Sequence, residues 1–205
     1  MTESATRPAP SVWWMILPFA AELTLTAALL ALVGTDDNGV DVGLLATARL
    51  AYGFFLLAYI GGALATLFGP AFDGLRQHGR EFGLAFAAAL SVHLALVTWI
   101  CLLGDLPPVS TFVVFGIAAL CVYGLALFSV ARLQQWIGRR AWTGFRFLAM
   151  NYIACVFADD FLRVAPTLTI DYLLDYLPFA LLAMASPALY FAALVKRRAP
   201  RLALR

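Results

Sequence analysis

Long apolar stretches, separated by short polar clusters, dominate this chain. Six stretches carry few charges: Ser11–Gly34, Leu44–Gly69, Glu81–Leu103, Val109–Val130, Ala141–Val164 and Asp171–Val195. A helix needs about 20 apolar residues to cross the hydrocarbon core of a bilayer, and each stretch is long enough. The clusters between them, such as GTDDNG, GPAFDG, GDLPP and VAPT, have the composition of turns. The pattern therefore predicts an all-α, polytopic membrane protein with six transmembrane helices.

Composition supports this prediction and excludes several other classes of protein. Of the 205 residues, 63% are hydrophobic and 13% are charged, and the mean hydropathy is +0.87. Soluble domains are about 45–50% apolar and about 25% charged, so a soluble enzyme, a disordered chain and a small disulfide-rich module are excluded. A net charge of only +2 also argues against nucleic-acid binding. We expect one transmembrane domain, 1–205, in contact with lipid, with short tails at 1–10 and 196–205.

The charged residues predict how the chain is oriented. On the six-span pattern, 12 of the 14 basic residues fall on one side of the membrane: Arg7, Arg76, Arg80, Arg132, Arg139, Arg140, Arg146, Lys196, Arg197, Arg198, Arg201 and Arg205. The other side carries mainly aspartates: Asp36, Asp37, Asp41, Asp105, Asp159, Asp160, Asp171 and Asp175. Because loops rich in Lys and Arg stay in the cytoplasm, we expect both termini there and the protein in a bacterial-type inner membrane.

Three polar residues inside the predicted spans are candidates for function. An ionisable group in hydrocarbon is costly, so it marks a functional site by default. His93, near the middle of the third span, is either a haem ligand or a core histidine hydrogen-bonded to a neighbouring helix. Glu22 in the first span is either a packing residue or a proton-relay or substrate group. Asn151 in the fifth span is expected to form an interhelical hydrogen bond.

Two stretches of the chain resemble a known family. Residues 79–96 read GREFGLAFAAALSVHLAL, and residues 137–163 begin IGRRAW. They resemble the third and fifth helices of the ferric-reductase-like transmembrane domain, a six-helix b-haem family that includes the membrane subunit of the periplasmic methionine sulfoxide reductase system. The matching residues are Arg80, Gly83, Leu84, Phe86 and His93 in the first stretch, and Ile137, Gly138, Arg139, Arg140 and Trp142 in the second.

The chain departs from this family at the haem ligands. The resemblance implies histidines on the fifth helix, but counting from Trp142 places Arg146 and Asp159 at those two positions. Neither residue is a usual axial ligand of haem. Only His93 remains as a candidate, so the resemblance implies a degenerate member of the family. It also leads us to expect the fifth span opposite His93, with Arg146 near its cytoplasmic end and Asp159 near its outer end.

Three functions remain open on the sequence. The first is a haem-poor or haem-free subunit packed in a larger membrane complex. The second is an electron-transfer protein with one b-type haem on His93, supplied by a separate reductase or by quinone. The third is a small transporter built around Glu22, Asn151 and His93, although the chain has no inverted repeat. The sequence contains no complete catalytic constellation, and an enzymatic role stays open only as part of an electron-transfer chain. Apart from haem iron, the sequence identifies no metal.

Overall fold

The computed structural model describes residues 11–130, 133, 136–163 and 176–202. Throughout these residues the regular structure is helical and no strand occurs. The helices are α1 Trp13–Val33, α2 Asp37–Phe68, α3 Asp73–Gln77, α4 Gly79–Leu103, α5 Val109–Val130, α6 Arg139–Arg163 and α7 Leu177–Leu202, with a 3-10 turn at Pro70–Phe72. The prediction of an all-α fold is confirmed.

Five helices are long and apolar enough to cross a membrane: α1, α2, α4, α5 and the segment Leu177–Arg197 of α7. This finding supports a multi-pass membrane protein. Helix α6 matches the fifth predicted span in position, but charged residues near both of its ends leave it less apolar than the others. The predicted start of the sixth span at Asp171 lies outside the described residues, as do Asp175, the VAPT turn and the tail 1–10.

The second helix begins seven residues before the predicted Leu44 because a capped turn starts it at Asp37. The Asp36 carboxylate accepts a hydrogen bond from the Gly39 amide at 3.1 Å and so caps the first turn. The turn is tight: a Cβ atom on Gly39 would lie 1.9 Å from the carbonyl oxygen of Gly34. The GTDDNG cluster was predicted to form a turn, and the structure limits that turn to Gly34–Asp36, with the remaining residues in the first turn of α2.

Helix α2 lies at the centre of the bundle and packs against α1, α4 and α7, while α6 packs against α5 and α7. We call the end of the bundle where α1 begins the proximal end and the opposite end the distal end. Aromatic rings fill the space between α2, α4, α6 and α7: Tyr52, Phe55, Tyr59, Phe86, Phe157, Phe161, Phe179 and Tyr190. For example, Tyr59 stacks on Tyr190 with ring centroids 4.9 Å apart. We refer to these eight rings as the aromatic core.

The outer helices present apolar side chains away from the bundle. On α5 only Ala118 and Val122 are buried, whereas Leu120 on the opposite face is 73% exposed. On α1 the leucines Leu17 and Leu23 are likewise exposed. Leucine-rich outer faces suit contact with lipid tails rather than with water.

Candidate functional site

His93 is held by a hydroxyl group on α2. Its Nδ1 atom lies 2.9 Å from Oγ1 of Thr47, which is fully buried. The same hydroxyl donates to the carbonyl oxygen of Gly43 at 2.8 Å. Since a hydroxyl has only one proton to donate, the network assigns the proton of this pair to His93 Nδ1, which donates to Thr47. The imidazole is thus fixed by an interhelical hydrogen bond.

The helix opposite His93 differs from the one that we expected. The family resemblance placed the fifth span there, but the hydrogen-bond partner belongs to α2. Helices α2 and α4 are in contact at this level, where Gly43 lies beside Leu96. Helix α6 meets α4 nearer the proximal end, where Phe86 and Phe157 are 5.9 Å apart. Helix α2, and not α6, therefore supplies the hydrogen-bond partner of His93.

Asn151 links α6 to α2, as predicted. The Tyr59 hydroxyl donates to Asn151 Oδ1 at 2.9 Å, and Asn151 Nδ2 donates to the carbonyl oxygen of Phe147 at 2.7 Å. Both the oxygen and the nitrogen of the Asn151 side chain thus have a hydrogen-bond partner. It fixes α6 beside the aromatic core, because Tyr59 itself belongs to that core.

The two positions aligned with the family's fifth-helix ligands do not face the bundle interior. Arg146 and Asp159 are both exposed, whereas Ile153 and Phe161 on the same helix are buried. Arg146 lies about two turns after the start of α6 and Asp159 about one turn before its end. Even histidines at these two positions would point away from the core.

The described residues therefore do not fit the paired histidine ligation of the family's haems. The other histidine, His78, packs on Trp14 at the proximal end, with ring centroids 5.6 Å apart. No cluster of three or more His, Cys, Asp or Glu side chains suited to a metal occurs in the described part of the chain. His93 can supply one ligand nitrogen, Nε2, since its Nδ1 is engaged with Thr47.

Glu22 is the most unusual polar residue of the bundle. It is fully buried, and neither of its carboxylate oxygens has a hydrogen-bond partner among the described residues. Thr26, one turn further along α1, is also buried, and its hydroxyl is likewise unpartnered there. With Pro18, these two residues form the entire buried face of α1. This helix packs against α4 and α2, so its polar face is turned inward.

Basic side chains join helices at the proximal end. Arg197 on α7 donates to the Gly62 carbonyl at 2.8 Å and to the Thr66 hydroxyl at 2.6 Å, both on α2. Arg80 on α4 donates to the carbonyl oxygen of Ser129 near the end of α5, at 2.6 Å. The Ser129 carbonyl lies in the last turn of α5 and has no partner within that helix, so the Arg80 guanidinium group supplies one. The Gly62 carbonyl lies inside α2, where the bond from Arg197 ties α7 to the side of that helix.

The chain matches no family model, no curated protein and no solved structure. Its function is therefore inferred from its own residues. Two of the polar contacts rest on Thr47 and Tyr59, which the sequence did not single out. A hydroxyl in an apolar helix is a weak signal, because threonine commonly bonds back to its own helix, as Thr24 does here with Ala20.

Proposed function

We propose that this protein is a haem-free subunit of a larger complex in a bacterial-type inner membrane, with six spans and a ferric-reductase-like architecture. The orientation of α6 is the observation that carries the proposal. Arg146 and Asp159, which stand at the family's ligand positions, are on its exposed surface. His93 is bonded to Thr47 and acts as an interhelical tie.

The proposal adds α6 to the five candidate membrane-spanning helices, which brings the number of spans to six. Its 25 residues correspond to about 37 Å of helix, which exceeds a hydrocarbon core of about 30 Å. Its charges lie towards the two ends, and residues 147–158 between them contain none. The long side chain of Arg146 can extend along the helix to the lipid headgroups.

The proximal end is the cytoplasmic end in this proposal. Arg80, Arg139, Lys196 and Arg197 all lie there, and basic residues stay on the cytoplasmic side. A reporter enzyme fused after Arg205 should then be active only in the cytoplasm, and one inserted in the loop between α1 and α2 only outside. The opposite activity at either site would contradict the topology.

The absence of haem is tested by spectroscopy. Protein purified in mild detergent should have no Soret band and should give a negative pyridine haemochrome assay. A Soret band that is lost in His93→Ala would instead support the alternative, an electron-transfer protein with one b-type haem. Tyr123→Phe is a suitable control for expression, because Tyr123 bonds only Ser91 at an exposed site.

A partner chain is proposed because one side of α6 is left uncovered by the other helices of the bundle. Leu148, Cys155 and Asp159 share that side, since they lie whole turns apart, and all three are exposed. A photoreactive residue at Leu148 should cross-link to another membrane protein, and native electrophoresis in mild detergent should give a band larger than the single chain. The same residue at Leu120 on the apolar face of α5 is the control. A lone small band without a cross-link would refute the complex.

A further inference from the structure

None of the described charged groups on the helices that pack against α1 pairs with Glu22. Arg80, near the proximal start of α4, donates to the Ser129 carbonyl. On α4, His93 is engaged with Thr47, and Glu81 lies near the proximal start of that helix. On α2, the guanidinium group of Arg49 lies over the rings of Tyr176 and Phe179. Among the described residues, Glu22 forms no ion pair and accepts no hydrogen bond.

An ionised carboxylate is untenable in this place. Burial of an unpaired charge in an apolar interior is so unfavourable that the group is neutralised instead. Neutralisation needs either a proton or a metal ion. A carboxylate and one hydroxyl provide three oxygen atoms, fewer than the six or more that Ca²⁺ or Mg²⁺ requires. No further acidic or histidine ligand joins them in the described chain.

A proton suits the geometry better. Residues four apart lie on the same face of a helix, so Thr26 sits directly above Glu22. A protonated carboxyl group has one O–H to donate, and the Thr26 hydroxyl can accept it. A hydrogen bond between them would give each of these two unpartnered side chains a partner. Glu22 and Thr26, on the buried face of α1, can therefore hold a proton between the carboxyl group and the hydroxyl group.

We propose that Glu22 and Thr26 form a proton-binding site in the interior of the membrane, between α1, α2 and α4. The carboxyl group holds one exchangeable proton per chain. Nothing in this site depends on whether haem is bound or on a partner subunit. It therefore stands or falls separately from the proposed function.

Dicyclohexylcarbodiimide, an apolar reagent, tests this site on the purified full-length protein. The carboxyl oxygen of a protonated acid bonds to the carbodiimide carbon, and the acid proton passes to a carbodiimide nitrogen. Mass spectrometry should find one adduct per chain on the peptide that contains Glu22, with less adduct as the pH rises. A water-soluble carbodiimide should label exposed carboxylates such as Asp37, in the first turn of α2, and leave Glu22 unmodified.

Matched variants separate this site from other carboxyl groups. Glu22→Gln keeps the shape of the protonated acid and should remove the adduct. Glu81→Gln, which alters the other glutamate of the described helices, should leave it unchanged. Thr26→Val should keep the adduct but increase its rate of formation, because the acid proton has lost its acceptor.

Two results would overturn the proposal. Protection of Glu22 by added Na⁺, K⁺ or Ca²⁺ at constant pH would show that the site binds a cation. The infrared difference between wild type and Glu22→Gln should contain the C=O stretch of a carboxylic acid, shifted in D₂O. Absence of this C=O band would show that Glu22 is ionised, whether or not the carbodiimide labels it.

Discussion

Substitution of Thr47 by valine should weaken the contact between α2 and α4 while leaving the size of the side chain nearly unchanged. Valine has nearly the same volume as threonine but lacks the hydroxyl group that receives the His93 proton. Side-chain hydrogen bonds inside membrane proteins contribute about 0.6 kcal/mol on average and about 1.7 kcal/mol at most. The bond from Thr47 to Gly43 lies within one helix, and its loss leaves the Gly43 carbonyl with its helical partner. We therefore expect Thr47→Val to lower the free energy of unfolding by about 0.6–1.7 kcal/mol.

Unfolding in mixed micelles with increasing SDS measures this change. Thr24→Val is the matched control, since Thr24 is exposed and bonds only to the Ala20 carbonyl of its own helix. A double-mutant cycle with His93→Ala should give a coupling energy of the same size as the loss in Thr47→Val. Equal effects of Thr47→Val and Thr24→Val, or no coupling, would refute the tie between α2 and α4.

Two further variants test the geometry in the same assay. Tyr59→Phe keeps the stack on Tyr190 but removes the bond to Asn151, and should cost about 1 kcal/mol; an unchanged stability would argue against this link between α2 and α6. Gly39→Ala places a methyl group 1.9 Å from the Gly34 carbonyl oxygen and should lower the free energy of unfolding by about 3 kcal/mol or prevent folding. The control is Gly53→Ala, which has open space around it and should not destabilise the protein. Equal effects of the two glycine variants would contradict the tight turn between α1 and α2.

The apolar pattern predicted helix positions well because burial in hydrocarbon requires every backbone group to bond within its own helix. The beginning of α2 was missed for a specific reason. Asp37 and Asp41 read as loop residues by their charge, but a cap on Asp36 and the first helical turn accommodate them. Charge indicates where a chain leaves the membrane, and it does not indicate where the helix stops.

The surroundings of His93 could not be predicted from spacing along the chain. Which helix meets a side chain depends on how the helices pack in space, and here α2, with Thr47, packs beside His93 on α4. The motif match that began at Trp142 aligned Arg146 and Asp159 with ligands but said nothing about which face of α6 turns inward. That face was determined by the packing of Ile153 and Phe161.

The polar residues of α1, α2 and α4 share one depth in the bundle. Glu22 precedes the distal end of α1 at Val33 by about 16 Å of helix, and Thr47 and His93 lie about 15 Å from the distal ends of their own helices, Asp37 and Leu103. Under the proposed membrane topology this level lies inside the hydrocarbon core, where an uncompensated charge costs most. The aromatic core lies between α2, α4, α6 and α7, and α1 contributes no ring to it. Because α1 lies outside the aromatic core, a change of charge at Glu22 acts first on how α1 packs, and the aromatic contacts can persist while it does.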